Sequence, residues 1–80
     1  MNRDDVCRTL EETIGPFIGR HMAKAAVELH AKKLSPGSVG EDACRTLLDD
    51  VARGMVVFVG KDKAADLTRK AAAAIGLPPR

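Results

Sequence analysis

An 80-residue chain makes one domain at most, and 45% apolar residues mark a globular sequence, not a disordered one. Two Phe and no Trp or Tyr leave the core to aliphatic side chains and alanines, a light core that gains from burying more area against a second copy or a partner. Thirteen basic against eleven acidic residues, a net charge of +2, is too balanced to demand a polyanionic partner, and no apolar run approaches the roughly 18 residues of a membrane span.

The first helix is expected to start at an Asn2 cap, with Asp5 three residues on, and to bury Val6, Cys7, Leu10 and Ile14 along one side. Gly15 and Pro16 are expected to end it, with Pro16 opening a second helix that runs to Leu34. That helix carries a stripe of Ile18, Met22, Ala25, Ala26 and Leu29 beside a second one of Ala23, Val27 and Leu34. So much apolar surface predicts the central helix, with Arg20, His21, Lys24, Glu28 and Lys32 on its polar arc. The segment SPGSVG, 35–40, reads as a loop in which Ser38 and Glu41 have capping-box spacing for a third helix.

The third helix has the sharpest stripe, Cys44, Leu47, Leu48, Val51, Met55 and Phe58, opposite Asp42, Asp49, Asp50 and Arg53. Its end, GMVVFVG over 54–60, is β-branched enough for a strand, but the chain offers no second strand to pair with it, so helix is predicted. A fourth helix is expected from Gly60 or Asp62, packing through Ala64, Leu67, Ala71 and Ile75 and stopping at Gly76 with Pro78 beyond.

The tetrapeptide CRTL occurs twice, at Cys7–Leu10 and Cys44–Leu47, and each copy is followed by Phe, a β-branched residue, Gly, a basic residue, two variable residues and Ala: Phe17–Ala23 and Phe58–Ala64. From Cys to Phe is ten residues in the first unit and fourteen in the second, a difference of about one helical turn that keeps the flanking stripes in phase. The expected fold is therefore an all-α, small four-helix domain built from two similar helical hairpins, about 2–34 and 38–77.

Sharper chemistry finds little support. Cys7, His21, His30 and Cys44 are metal-ligand types, but the two histidines fall on opposite sides of one helix and neither cysteine has a second ligand two to four residues away. Both cysteines read as small buried hydrophobes, kept reduced in a cytoplasmic protein, the location expected from the absence of a basic, apolar leader. GMVVFVGKD misses a phosphate loop by its glycine spacing, by Asp62 after Lys61, and by having no strand before it. Glu11, Glu12, Asp49 and Asp50 are expected on solvent faces, and no catalytic, cofactor or metal residue is assigned.

Two surface readings remain. Arg20, His21, Lys24 and Lys32 on helix 2 and Lys61, Lys63, Arg69 and Lys70 on helix 4 fit a small DNA-binding regulator, although the two Phe are expected in the core and so unavailable for base stacking. Apolar residues off the main stripes, Val56, Val57, Val27 and Ala23, fit a protein contact instead, with Arg20 and Lys24 setting orientation by charge.

The stretch LEETIGPFIGRHMAKAAVELHAKKL, Leu10–Leu34, resembles the Ile-Gly-Pro-hydrophobic segment of small helical modules appended to bacterial serine/threonine kinases and response regulators. The resemblance rests on Ile14, Gly15, Pro16 and the Ala-rich helix after them, and covers about a third of the chain. It implies a regulatory interaction module without catalytic residues. The expected function is thus a non-enzymatic protein-interaction or oligomerisation module in bacterial intracellular signalling, binding a protein partner or itself as a dimer.

Overall fold

Each of the four apolar stripes builds a helix in the computed structural model, which describes residues 2–34 and 37–78. The order is α1 (Arg3–Ile18), α2 (Arg20–Ala31), α3 (Glu41–Val59) and α4 (Lys61–Ile75). The all-α four-helix class read from the sequence is the class observed. The side chain of Asn2 caps α1 as expected, its Oδ1 accepting from the backbone N–H of Asp4 at 2.8 Å and of Asp5 at 3.4 Å. At the other end of the chain, Gly76 closes α4 in the left-handed conformation. The strand-like segment 54–59 is helical, because α3 must run on to carry Met55 into the core.

The largest departure lies at the first helix boundary. Pro16 sits inside α1, and the chain turns only at Gly19. Gly15 explains the tolerance: without a Cβ it meets the proline ring with little clash, so the last turn of α1 continues through both residues. Moving the break to Gly19 leaves Ile18 on α1, and the stripe expected for the second helix loses its first member. The side that packs is Ala23, Val27 and Ala31, while Met22, Ala25 and Leu29 face outward. Nor is α2 central: it packs against α1 and α3 but not against α4.

The Ser38–Glu41 capping box does not form. Gly40 caps α3 without a side-chain bond, while Ser38 pairs with Asn2 in an isolated antiparallel bridge and Arg3 N–H donates to Gly37 O at 2.7 Å. The backbone of that loop is thereby committed to the start of α1. Ser35 and Pro36, the first part of the expected loop, lie outside the described residues.

One core joins the helices: Val6, Leu10 and Ile14 of α1, the small face of α2, Cys44, Leu47, Leu48, Val51 and Met55 of α3, and Ala64, Leu67 and Ala71 of α4. Alanines at the contacts let helices approach closely, which is how so few large side chains fill the interior. The most extensive pairings are α1 with α2 and α3 with α4, the two predicted hairpins. The Asn2–Ser38 bridge sets the starts of α1 and α3 side by side. Beyond α4, Pro78, through its carbonyl, accepts from Arg45 near the start of α3. The bundle thus has one end built of loop and terminus and another built of the two glycine joints.

Candidate interaction surface

At each joint one helix passes to the next without a loop. Gly19 has φ 93° and ψ 144°, and Gly60 has φ 86° and ψ 165°, a region closed to side chains with a Cβ. The bonding repeats as well. Gly19 N–H donates to Gly15 O at 2.8 Å and its carbonyl accepts from Ala23 N–H at 2.9 Å; Gly60 N–H donates to Val56 O at 2.9 Å and its carbonyl accepts from Ala64 N–H at 3.0 Å. Ala23 and Ala64, the alanines that end the two sequence repeats, are both fully inside.

Before the joints the surface changes character. Phe17 is 45% exposed and Phe58 57%, so the core positions expected for both are corrected. Phe58 leaves the core because the buried stripe of α3 continues at four-residue spacing as Val51, Met55 and Val59, rotating past it. Val56 is exposed, and Val57, at 85%, is the most exposed of the large apolar side chains. Lys63, in the first turn of α4, places its Nζ 4.4 Å from the centroid of the Phe17 ring, a cation–π contact. That contact brings the end of α1 to the start of α4, where α3 also ends.

Of the residues expected to meet a partner, Val56 and Val57 are therefore available. Ala23 and Val27 are not: both are completely buried against the rest of the bundle, because α2 packs on that stripe. Arg20 and Lys24 are exposed and line a crevice of about 630 Å³ between α1 and α2, floored by Gly15 and Pro16 and walled by Arg8, Glu11 and Glu12. Phe17 and Phe58 are the contact candidates that periodicity missed. The signal for them was the repeat itself, which sets each Phe two residues before a joint glycine.

The charged side chains divide into paired and unpaired sets. Asp50, expected on a solvent face, is half-buried between α2 and α3, with Lys33 at 3.6 Å, Arg53 at 3.9 Å and His30 Nδ1 at 4.0 Å. Asp66 holds Arg69 at 3.1 Å and Lys70 at 3.3 Å, and the hydrogen bonds from these cations keep its carboxyl below the usual range. Arg8 pairs with Asp5 and Arg45 with Glu41. Among the described residues Arg3, Arg20, Lys24, Lys32, Lys61 and Lys63 have no acidic partner in an ion pair, and four of these six, Arg20, Lys24, Lys61 and Lys63, lie within the first five residues of α2 or α4.

The remaining features are modest. Between α3 and α4 an apolar groove of about 450 Å³ is floored by Leu48, Ala72 and Leu77 and edged by Arg45 and Arg69. Cys44 is buried and Cys7 half-buried, and desolvation pushes both thiols up; Glu11 adds to the effect at Cys7. No three His, Cys, Asp or Glu side chains among the described residues are grouped to hold a metal ion. Nor is any helix among them long and apolar enough to cross a membrane. No protein-family model, curated protein or solved structure matches this chain.

Proposed function

We propose that this chain is a non-enzymatic protein-interaction module of bacterial intracellular regulation, which acts by presenting its joint end to another protein or to a second copy of itself. The observation that carries this reading is the exposure of Phe17, Val57 and Phe58 beside one another's helix ends, in a protein whose interior is already filled. A chain with only two Phe leaves both partly in water, an arrangement that contributes little to folding and much to association. The resemblance of Leu10–Leu34 to helical modules of bacterial kinases and response regulators supports the regulatory setting.

A nucleic-acid reading draws on the same unpaired cations, but Arg69 and Lys70, two of the four bases it needs from α4, are engaged by Asp66. Salt separates the two. Phosphate contacts weaken steeply as salt rises, whereas apolar docking is nearly indifferent to it. Immobilised wild-type chain is expected to retain a defined protein from cell lysate through a high-salt wash. Val57→Asp is expected to lose that protein while melting like the wild type. Retention of nucleic acid alone, released by modest salt, would replace this reading with DNA binding.

A further inference from the structure

The joint end is not only apolar; its charge is mostly positive, with Asp62 set between Lys61 and Lys63. Lys61 and Lys63 stand on the first turn of α4, one turn from Phe58, and Lys63 lies directly over Phe17. Arg20 opens α2 beyond the other joint, three residues after Phe17, and borders the crevice that holds Glu11 and Glu12 on its far wall. Asp62 is the single acid within either joint's first helical turn; α2 has none in its first turn. Gly19 and Gly60 each end one helix and begin the next, so the negative ends of α1 and α3 lie beside the positive ends of α2 and α4 and largely cancel them, leaving the field at this end to the charged side chains.

We infer that the joint end docks an acidic, amphipathic helical segment of a different protein, its apolar side chains resting on Phe17, Val57 and Phe58 and its carboxylates facing Arg20, Lys61 and Lys63. This inference rests on the interaction-module reading and names the chemistry of the partner. Charge complementarity selects that occupant. A symmetric contact with its twofold axis at this patch would bring the Lys61 and Lys63 charges of both copies together, a like-charge meeting that costs affinity. An anionic bilayer is matched by a helix lying flat with a long basic flank; here the apolar groups are confined to two helix corners. Lys63 already shows the mode of contact, its charge set over an aromatic ring that a partner's apolar side chain would cover from outside.

The test uses the full chain and a synthetic helix-forming peptide with leucines on one face and glutamates elsewhere, followed by fluorescence anisotropy. A matched peptide carries lysine for each glutamate. The glutamate peptide is expected to bind at least about tenfold more tightly than its lysine counterpart. Phe58→Ser and Lys63→Glu are each expected to weaken it by about fivefold or more. Both positions lie on the surface, and the melting curve of each variant confirms that it folds. Equal binding of the two peptides, or binding indifferent to both substitutions, would overturn the proposal. So would capture of the chain by phosphatidylserine vesicles in a Phe58-dependent way. Sedimentation equilibrium separates the remaining case: a dimer dissolved by Phe58→Ser would refute the acidic partner and leave the interaction module standing. If neither self-association nor peptide binding responded to Phe58→Ser, both readings would fail together.

Discussion

The two helix–glycine–helix units share more than a tetrapeptide, and the features they share fall into two kinds. Leu10 and Leu47, and Ala23 and Ala64, occupy matching places in the repeats and are buried in both. Gly19 and Gly60 adopt nearly the same dihedrals and bond in the same way. These matches are what a helical hairpin needs for its core and its turn. Phe17 and Phe58 match too, followed by Arg20 and Lys61, yet all four are exposed and the core does not use them. Apart from the Lys63 contact to Phe17, the bundle's own packing makes little use of this repeated pair of exposed aromatic and exposed cation. The proposed function uses it as a contact surface.

Elsewhere the units diverge. Arg8 is exposed and paired only with Asp5, whereas Arg45, in the same place of the second CRTL, is tucked against the chain and donates to Glu41 and to the carbonyl of Pro78. Glu11 and Glu12, which wall the crevice of the first unit, correspond to Leu48 and Asp49 along the groove of the second. The same backbone positions thus line a polar cleft in one hairpin and an apolar one in the other. The clefts differ while the joints agree, which is why the proposed function rests on the joints.

The largest test of the equivalence is at the buried leucines. Leu10→Ala and Leu47→Ala are each expected to cost about 2–5 kcal/mol by urea denaturation, a large share of the stability of so small a domain. Costs that differ by more than about 2 kcal/mol would mean that the two halves do not contribute alike. The cysteines should break the comparison instead. Cys7 is half-buried and Cys44 fully so, so maleimide is expected to label Cys7 slowly, and Cys44 at least about a hundredfold more slowly still, by way of unfolding. Similar rates would place Cys44 at the surface.

The glycines sharpen it further. Gly19→Ala and Gly60→Ala are each expected to destabilise by about 1–2 kcal/mol, because alanine resists a φ near +90°. Gly54 lies within α3 without a positive φ, and a Cβ there meets open space. Gly54→Ala is therefore expected to stabilise by about 0.5–1 kcal/mol in the same thermal melts. A stabilising Gly60→Ala would show that the second joint is not the sharp turn described.

These sites also show what was legible in the sequence. Stripes at four-residue spacing, such as Val6, Leu10 and Ile14, found their helices because burial on one side is all that such a pattern requires. The Asn2 cap and the Gly76 stop were legible because each is a local bond between near neighbours. The break at Gly19 was not: Gly15-Pro16 is the stronger signal by propensity, and only packing shows that α1 continues through it. On α2 two stripes competed, and the contact with α1 chose the one with smaller side chains. Phe17 and Phe58 were misplaced for a related reason, since aromatic size argues for burial and helix ends overhang the core. Their exposure is a fact of tertiary geometry, visible in the sequence only through the repeat.

The most telling effect is a small one. If Phe17 and Phe58 are displayed and not packed, the double variant Phe17→Ser, Phe58→Ser keeps its cooperative thermal unfolding and loses no more than about 1–2 kcal/mol, including the Lys63 contact. A loss of about 4 kcal/mol or more, or a melt without a cooperative transition, would show that the two rings belong to the core and that the joint end is not a surface for partners.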